Sequence, residues 1–257
     1  MASMSTCTSC GLVLAGLGLW VSSRREDQKS NKRKVQAVIF DLDGTLIDFE
    51  GVSHVALEAP LARRGAKLPW ELHGKIVGRK AEDWSAQILE ELKMPKTVLK
   101  AEKYVQEYMN DLKVLYGTIQ AWPGTLHLLR RLKEMEVPMA IATSSPRPSF
   151  NQKMEYHKEI LKLMDVVVTG DEVKRGKPQP DIFLEAARRL GKDATKCLVF
   201  EDSALGIAGA QAAGSLTVAL PDPRFPENAR KLADLKPTWL LKDGIGQFDP
   251  EELELEI

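Results

Sequence analysis

Five short, nearly continuous apolar runs alternate with longer stretches whose apolar residues recur at three- and four-residue spacing. The runs are Val35–Phe40, Val137–Ala142, Met164–Thr169, Cys197–Phe200 and Ser215–Leu220, and each reads as a strand buried on both faces of a parallel sheet. Between the first and second runs the pattern is helical throughout, over Val52–Arg64, Trp70–Val77, Lys80–Leu92 and Thr97–Leu115, with no strand candidate among them. Pro123 is expected to open a further helix running through Lys133, and another is expected over Asp181–Leu190. These elements predict an α/β core over residues 35–50 and 121–257, with a helical insertion over 51–120.

Three of the runs end in residues that packing does not require. The first ends in Asp41-Leu42-Asp43-Gly44-Thr45, the second in Thr143-Ser144-Ser145, and the fourth in Glu201-Asp202. A buried strand is a costly place to end in acid, and in open parallel sheets ligands bind at the carboxyl ends of the strands. Two carboxylates in different environments can divide the work, one attacking an electrophile and the other moving a proton. The hydroxyls of 143–145, with their backbone N–H groups, can hold phosphate oxygens or cap the next helix. In Gly176-Lys177-Pro178, a lysine sits between a flexible and a rigid residue just before a helix. Taken singly, it would be a solvated loop lysine, and Glu201-Asp202 would be acids favoured at a helix start. Taken in this order, each at a strand end or in the loop after one, the four signals describe a single site rather than four coincidences. Gathering Asp41, Asp43, Glu201 and Asp202 costs about 4 kcal/mol for each like-charged pair 4 Å apart at an effective dielectric of 20. One lysine does not offset that; a divalent cation does, and an all-oxygen donor set favours Mg²⁺ over zinc.

The sequence DLDGT after a β-branched strand, followed by the hydroxyl, lysine and acidic motifs in this order, resembles the haloacid dehalogenase superfamily. Residues 142–223, together with Val77-Gly78-Arg79-Lys80-Ala81, are similar to its pseudouridine-5′-phosphatases and its plant and yeast-type glycerol phosphatases. The resemblance implies a Rossmann-like core with a small α-helical cap and a phosphatase of small phosphate monoesters. It also implies an aspartyl-phosphate intermediate. Carried over, Asp41 is the nucleophile and Asp43 the acid and base, while Thr143, Ser144 and Lys177 stabilise the phosphoryl oxygens. The metal ligands implied are Asp41, the backbone carbonyl of Asp43, and Asp202, with Glu201 direct or through water. Arg79 and Lys80 are candidate substrate contacts from the cap, set against a plain role as exposed cations at a helix start. Two departures stand out: Asp48-Phe49-Glu50 replaces the family's usual Asp-Thr-Glu, and the loop at Gly170-Asp171-Glu172 is shorter than in its relatives. A phosphosugar mutase of the β-phosphoglucomutase type is the alternative on the same scaffold. Its cap carries a histidine in the first helix, and His54 lies near that place but one residue out of register.

Charge and composition narrow the partners. The 36 basic residues equal the 36 acidic ones in number, so no net field favours nucleic acid or an anionic membrane. The expected partner is a small phosphorylated metabolite, and the chain is expected to act as a monomer. Three cysteines, Cys7, Cys10 and Cys197, make no disulfide framework, and Cys7 and Cys10 lack a second pair to close a zinc site. His54 and His157 read as surface or core residues. Residues 1–34 read as a leader. Its apolar run, Gly11–Val21, is shorter than the ~20 residues that span a bilayer, and its positive charges follow the run instead of preceding it. A cytoplasmic location is expected, with an organellar leader or weak membrane anchor as the alternative.

Overall fold

A computed structural model of the chain describes residues 33–77 and 79–256. A six-stranded parallel sheet runs β4-β3-β2-β5-β6-β7, with β2 at Ala37–Phe40, β3 at Met139–Thr143, β4 at Val166–Thr169, β5 at Cys197–Glu201, β6 at Leu216–Ala219 and β7 at Trp239–Leu240. The three strands that carry the motifs are therefore neighbours. Phe40 pairs with Ile141 on one side and with Phe200 on the other, so Asp41, Thr143 and Glu201 leave the sheet at the same edge.

Period-two alternation decides the two layers around β2. Val38 and Phe40 face one helical layer with Leu128, Leu129 and Leu132, whereas Ala37 and Ile39 face Phe183, Ala186 and Ala187 on the other side. All four strand residues are fully buried, each large one contributing about 1.5–3 kcal/mol. The same burial pushes the Cys197 thiol up to about 12, consistent with an inert core cysteine.

Helices Phe49–Ala62, Trp70–Ile76, Ala81–Glu91 and Ala101–Leu115 form the insertion between β2 and β3. They have their own core, in which Leu57, Leu61, Trp84, Ile88 and Tyr104 pack together and the Tyr104 hydroxyl donates to the Leu57 carbonyl at 2.8 Å. The first of these helices starts three residues earlier than the apolar spacing predicts, because the Asp48 side chain accepts the Gly51 N–H at 2.9 Å and caps it. The last starts at Ala101, not Thr97.

Other boundaries also moved. The helix expected to open on Pro123 begins at Thr125, behind Gly124 at φ 88°. Only glycine fits there, since a Cβ would lie 2.4 Å from the Gly246 Cα. The first apolar run is broken at Gln36. Arg33–Val35 forms a separate strand, β1, paired in parallel with Leu253–Leu255, β8. Arg33 and Lys34, placed in the leader by their composition, are thus tied to the far end of the chain. The rest of the leader, with Cys7, Cys10 and the Gly11–Val21 run, lies outside the described residues. Among the described residues no helix is long and apolar enough to cross a membrane.

Candidate active site

Asp41 is the first residue beyond β2, anchored by its N–H to the Phe200 carbonyl at 3.0 Å. Lys177 comes in from the loop before helix Asp181–Arg189 and donates to Asp41 Oδ1 at 2.5 Å and to Glu201 Oε1 at 2.5 Å. All three side chains are almost wholly withdrawn from water, at 6%, 8% and 1% exposure for Lys177, Asp41 and Glu201. Burial, only partly offset by Lys177, pushes the Asp41 carboxyl up to about 7, with Glu201 and Asp43 adding repulsion. Burial opposes the Lys177 ammonium too, but the two carboxylates overcome it and raise its pKa. The second oxygen of Glu201 accepts from the Ser203 N–H at 2.8 Å and the Ser203 hydroxyl at 2.9 Å. Both oxygens of Glu201 are therefore engaged by protein donors.

Asp43 has a different setting. Its Oδ2 accepts from the Lys153 ammonium at 2.6 Å and the Ser145 hydroxyl at 2.9 Å, and Lys153 also donates to Ser145 at 3.0 Å. Its Oδ1 is buried with no hydrogen-bond partner. Thr143, at the end of β3, is buried and its hydroxyl oxygen accepts the Ser145 N–H at 3.1 Å, which leaves the hydroxyl proton free to donate. Ser144 is exposed beside it.

Asp202 turns to the other side of the strand end. Burial, then the charges of Glu201 and Asp41, pushes its carboxyl well above the ordinary range, and the hydrogen bond it receives from Thr45 is long at 3.4 Å. Gly44, at φ 86°, passes so close that a Cβ there would lie 2.2 Å from Asp202 Oδ2. Among the described residues no group of three or more His, Cys, Asp or Glu side chains is placed to hold an ion. The Glu201 carboxylate is committed to Lys177 and Ser203. What remains is Asp41, Asp202 and backbone carbonyls: an all-oxygen set with a surplus of buried negative charge. That set suits Mg²⁺, which keeps several of its waters and takes only one or two protein carboxylates.

Arg79 and Lys80 are not brought to this cluster. The Arg79 guanidinium donates to Gln87 at 2.7 Å, and both cations line an open surface depression with Glu82, Asp83, Ala86, Gln87 and Glu90. Arg79→Ala is accordingly expected to leave kcat/KM for phosphate esters within about twofold of the unchanged chain. A rise in KM confined to bulky esters would restore Arg79 to the substrate site. His54 stacks on Trp70 with centroids 3.7 Å apart and shares a 3.1 Å hydrogen bond with His73, whose other nitrogen faces Glu50 at 3.1 Å. Burial and the neighbouring His73 lower the His54 pKa to about 4, so it stays neutral. His157 Nε2 is buried without a partner.

Three contributors escaped the sequence motifs: Lys153, Ser203 and the Arg224 clamp. Arg224 pairs with Asp48 at the hinge of the insertion and with Asp222, both at 2.6 Å, while lying over the rings of Trp70 and Trp122. For Lys153 a signal existed, since Phe150, Lys153 and Met154 share the buried stripe of helix Arg147–Met154.

Comparison with known proteins agrees with this geometry. The model of a hydrolase family, the haloacid dehalogenase-like hydrolases, matches residues 35–214. The chain is 37% identical to (DL)-glycerol-3-phosphatase 2 of Arabidopsis thaliana over 228 residues, 87% of this chain and 92% of the relative. It is 36% identical to the probable pseudouridine-5′-phosphatase of Drosophila melanogaster over 228 residues, 87% of this chain and 95% of the relative. Among solved structures, a family hydrolase from Deinococcus radiodurans R1 with bound phosphate and sodium superimposes with a TM-score of 0.69 at 26% identity, over 81% of this chain and 91% of that one. The chain belongs to the haloacid dehalogenase-like hydrolases, and its core is the Rossmann-like parallel sheet of that family.

Proposed function

We propose that the chain is a Mg²⁺-dependent phosphatase that hydrolyses a small phosphate monoester through a covalent intermediate on Asp41. The observation that carries this reading is the pair of unlike carboxylates. One Asp41 oxygen is fixed on a buried lysine, which directs the other toward an electrophile; Asp43 presents a buried, unpartnered Oδ1. Asp41 attacks phosphorus as the bond to the leaving oxygen breaks, and Asp43 delivers its proton to that oxygen. Asp43 then takes a proton from the water that attacks the aspartyl phosphate, which returns both side chains to their starting states. Thr143, the Ser144 N–H and Lys177 neutralise the phosphoryl oxygens through both steps.

Mg²⁺ would be held by Asp41, Asp202 and the Asp43 backbone carbonyl, and when bound it supplies charge neutralisation to the phosphoryl group. Glu201 acts at one remove by holding Lys177. Chelation with EDTA is expected to lower phosphate release by at least ~10²-fold, with recovery on adding Mg²⁺. Undiminished activity after thorough chelation would remove the metal from the reading.

The substrate class follows the relatives named above, glycerol phosphate or pseudouridine 5′-phosphate, with a sugar phosphate as the third candidate. A panel of such esters, scored by phosphate release, ranks them and separates hydrolysis from isomerisation. His54 favours hydrolysis, because it is stacked on Trp70 and bonded to His73 instead of standing free to serve a second proton transfer. All the groups used come from one chain, so the reading requires only a monomer.

A further inference from the structure

Lys153 is a buried cation outside every motif. It lies on helix Arg147–Met154, is 2% exposed, and its ammonium sits over the Phe49 ring, 3.7 Å from the centroid. Lysine is almost never fully buried unless paired, and its long stem costs about 1.5–2 kcal/mol of rotamer entropy to fix. Its three protons are accounted for by Asp43 Oδ2, the Ser145 hydroxyl and the face of Phe49. The effect on Asp43 is specific: one oxygen is held by two donors and the other is left bare.

We infer that Lys153 is a positioning residue for the proton-transfer group, holding Asp43 in the single rotamer that presents Oδ1 to the leaving oxygen and then to water. The inference rests on the aspartyl-phosphate reading above and deepens it. Phe49 extends the device to the hinge. As the first residue of helix Phe49–Ala62, it sets its ring face against the Lys153 ammonium, a cation–π contact that helps to fix the cation beside Asp43. Phe49 is also the residue that departs from the family's usual threonine at that place, so in this chain the hinge closes on Lys153 with an aromatic face.

The two chemical steps respond differently to Asp43, which makes the inference testable. With p-nitrophenyl phosphate the leaving group departs as an anion and needs no proton, so attack by Asp41 tolerates a misplaced Asp43; hydrolysis of the aspartyl phosphate does not. Lys153→Met keeps the stem packed and removes the charge. It is expected to give a burst of about one equivalent of p-nitrophenolate per enzyme, followed by turnover slowed ~10²-fold, as for a catalytic group displaced by about 1 Å. With an alkyl ester such as glycerol phosphate the burst should vanish too. Lys153→Arg, which retains a donor cation, is expected to recover part of the slow step; it also decides the matter by the same burst should the methionine variant not fold. Steady-state turnover of Lys153→Met within about twofold of wild type, or equal losses in burst and steady phases, would overturn the assignment. Borohydride trapping on wild-type enzyme keeps the two levels apart. A trapped Asp41 with an unchanged partition in the variant would reject Lys153 alone, and no trapped Asp41 in wild type would reject the aspartyl-phosphate reading with it.

Discussion

Asp41→Asn is expected to lower phosphate release by at least ~10⁴-fold while leaving the protein as stable as before or more so. The amide keeps the shape and can still bond Lys177 through its oxygen, but it is no nucleophile toward phosphorus. Stability follows from linkage. Burial first, then Glu201 and Asp43, push the folded Asp41 carboxyl from its ordinary 3.8 up to about 7. Between those values the folded state keeps a proton that the unfolded state has lost, so stability falls as pH rises through the window and stays low above it. In EDTA the wild-type melting temperature should therefore decline from pH 4 to pH 7 by more than that of Asp41→Asn. A variant that retains a tenth of wild-type turnover, or melts well below wild type at pH 8, would contradict this role for Asp41.

Lys177→Met should also lose most of its activity, for a different reason, and be less stable. Lys177 is the cation on Asp41 Oδ1 and Glu201 Oε1, and its removal leaves two buried carboxylates facing each other. Breaking a buried pair from one side costs about 3–5 kcal/mol, which in a chain of this size lowers the melting temperature by roughly 10 °C. Loss of its electrostatic contribution to the phosphoryl group should lower kcat by about 10³-fold. The opposite signs of the two stability effects are the informative comparison. Calorimetry without metal that finds Lys177→Met as stable as wild type would mean that Lys177 is not the counter-ion of this cluster.

The sheet was legible because strands buried on both faces leave continuous apolar runs, as Val137–Ala142 and Cys197–Phe200 do. Asp41 and Thr143 were legible because acids and hydroxyls at the ends of buried strands serve no packing purpose, and Lys177 because it stands alone between Gly176 and Pro178 just before a helix. Glu201 illustrates the limit. In the sequence it is simply the neighbour of Asp202, yet Glu201 is the last residue of β5 and bonds Lys177, whereas Asp202 lies just beyond the strand and packs against Gly44. Lys153 was hidden by its own chemistry, since a lysine in a helix is ordinarily solvated and its partner Asp43 is 110 residues away. Arg79 shows the converse limit: a turn can aim a cation in many directions, and here the guanidinium donates to Gln87. The β1–β8 pairing joins residues more than two hundred positions apart, beyond any local pattern.

The central claim is a covalent bond between Asp41 and phosphorus, and chemical trapping tests it directly. Asp43→Asn enzyme, in which hydrolysis of the intermediate should be impaired more than attack, is mixed with p-nitrophenyl phosphate and Mg²⁺, quenched, and reduced with borohydride, which converts an aspartyl phosphate to homoserine. Peptide mass spectrometry is predicted to find homoserine at position 41 and nowhere else. An unmodified Asp41 in enzyme that has released p-nitrophenolate, or modification at another acid, would contradict the account.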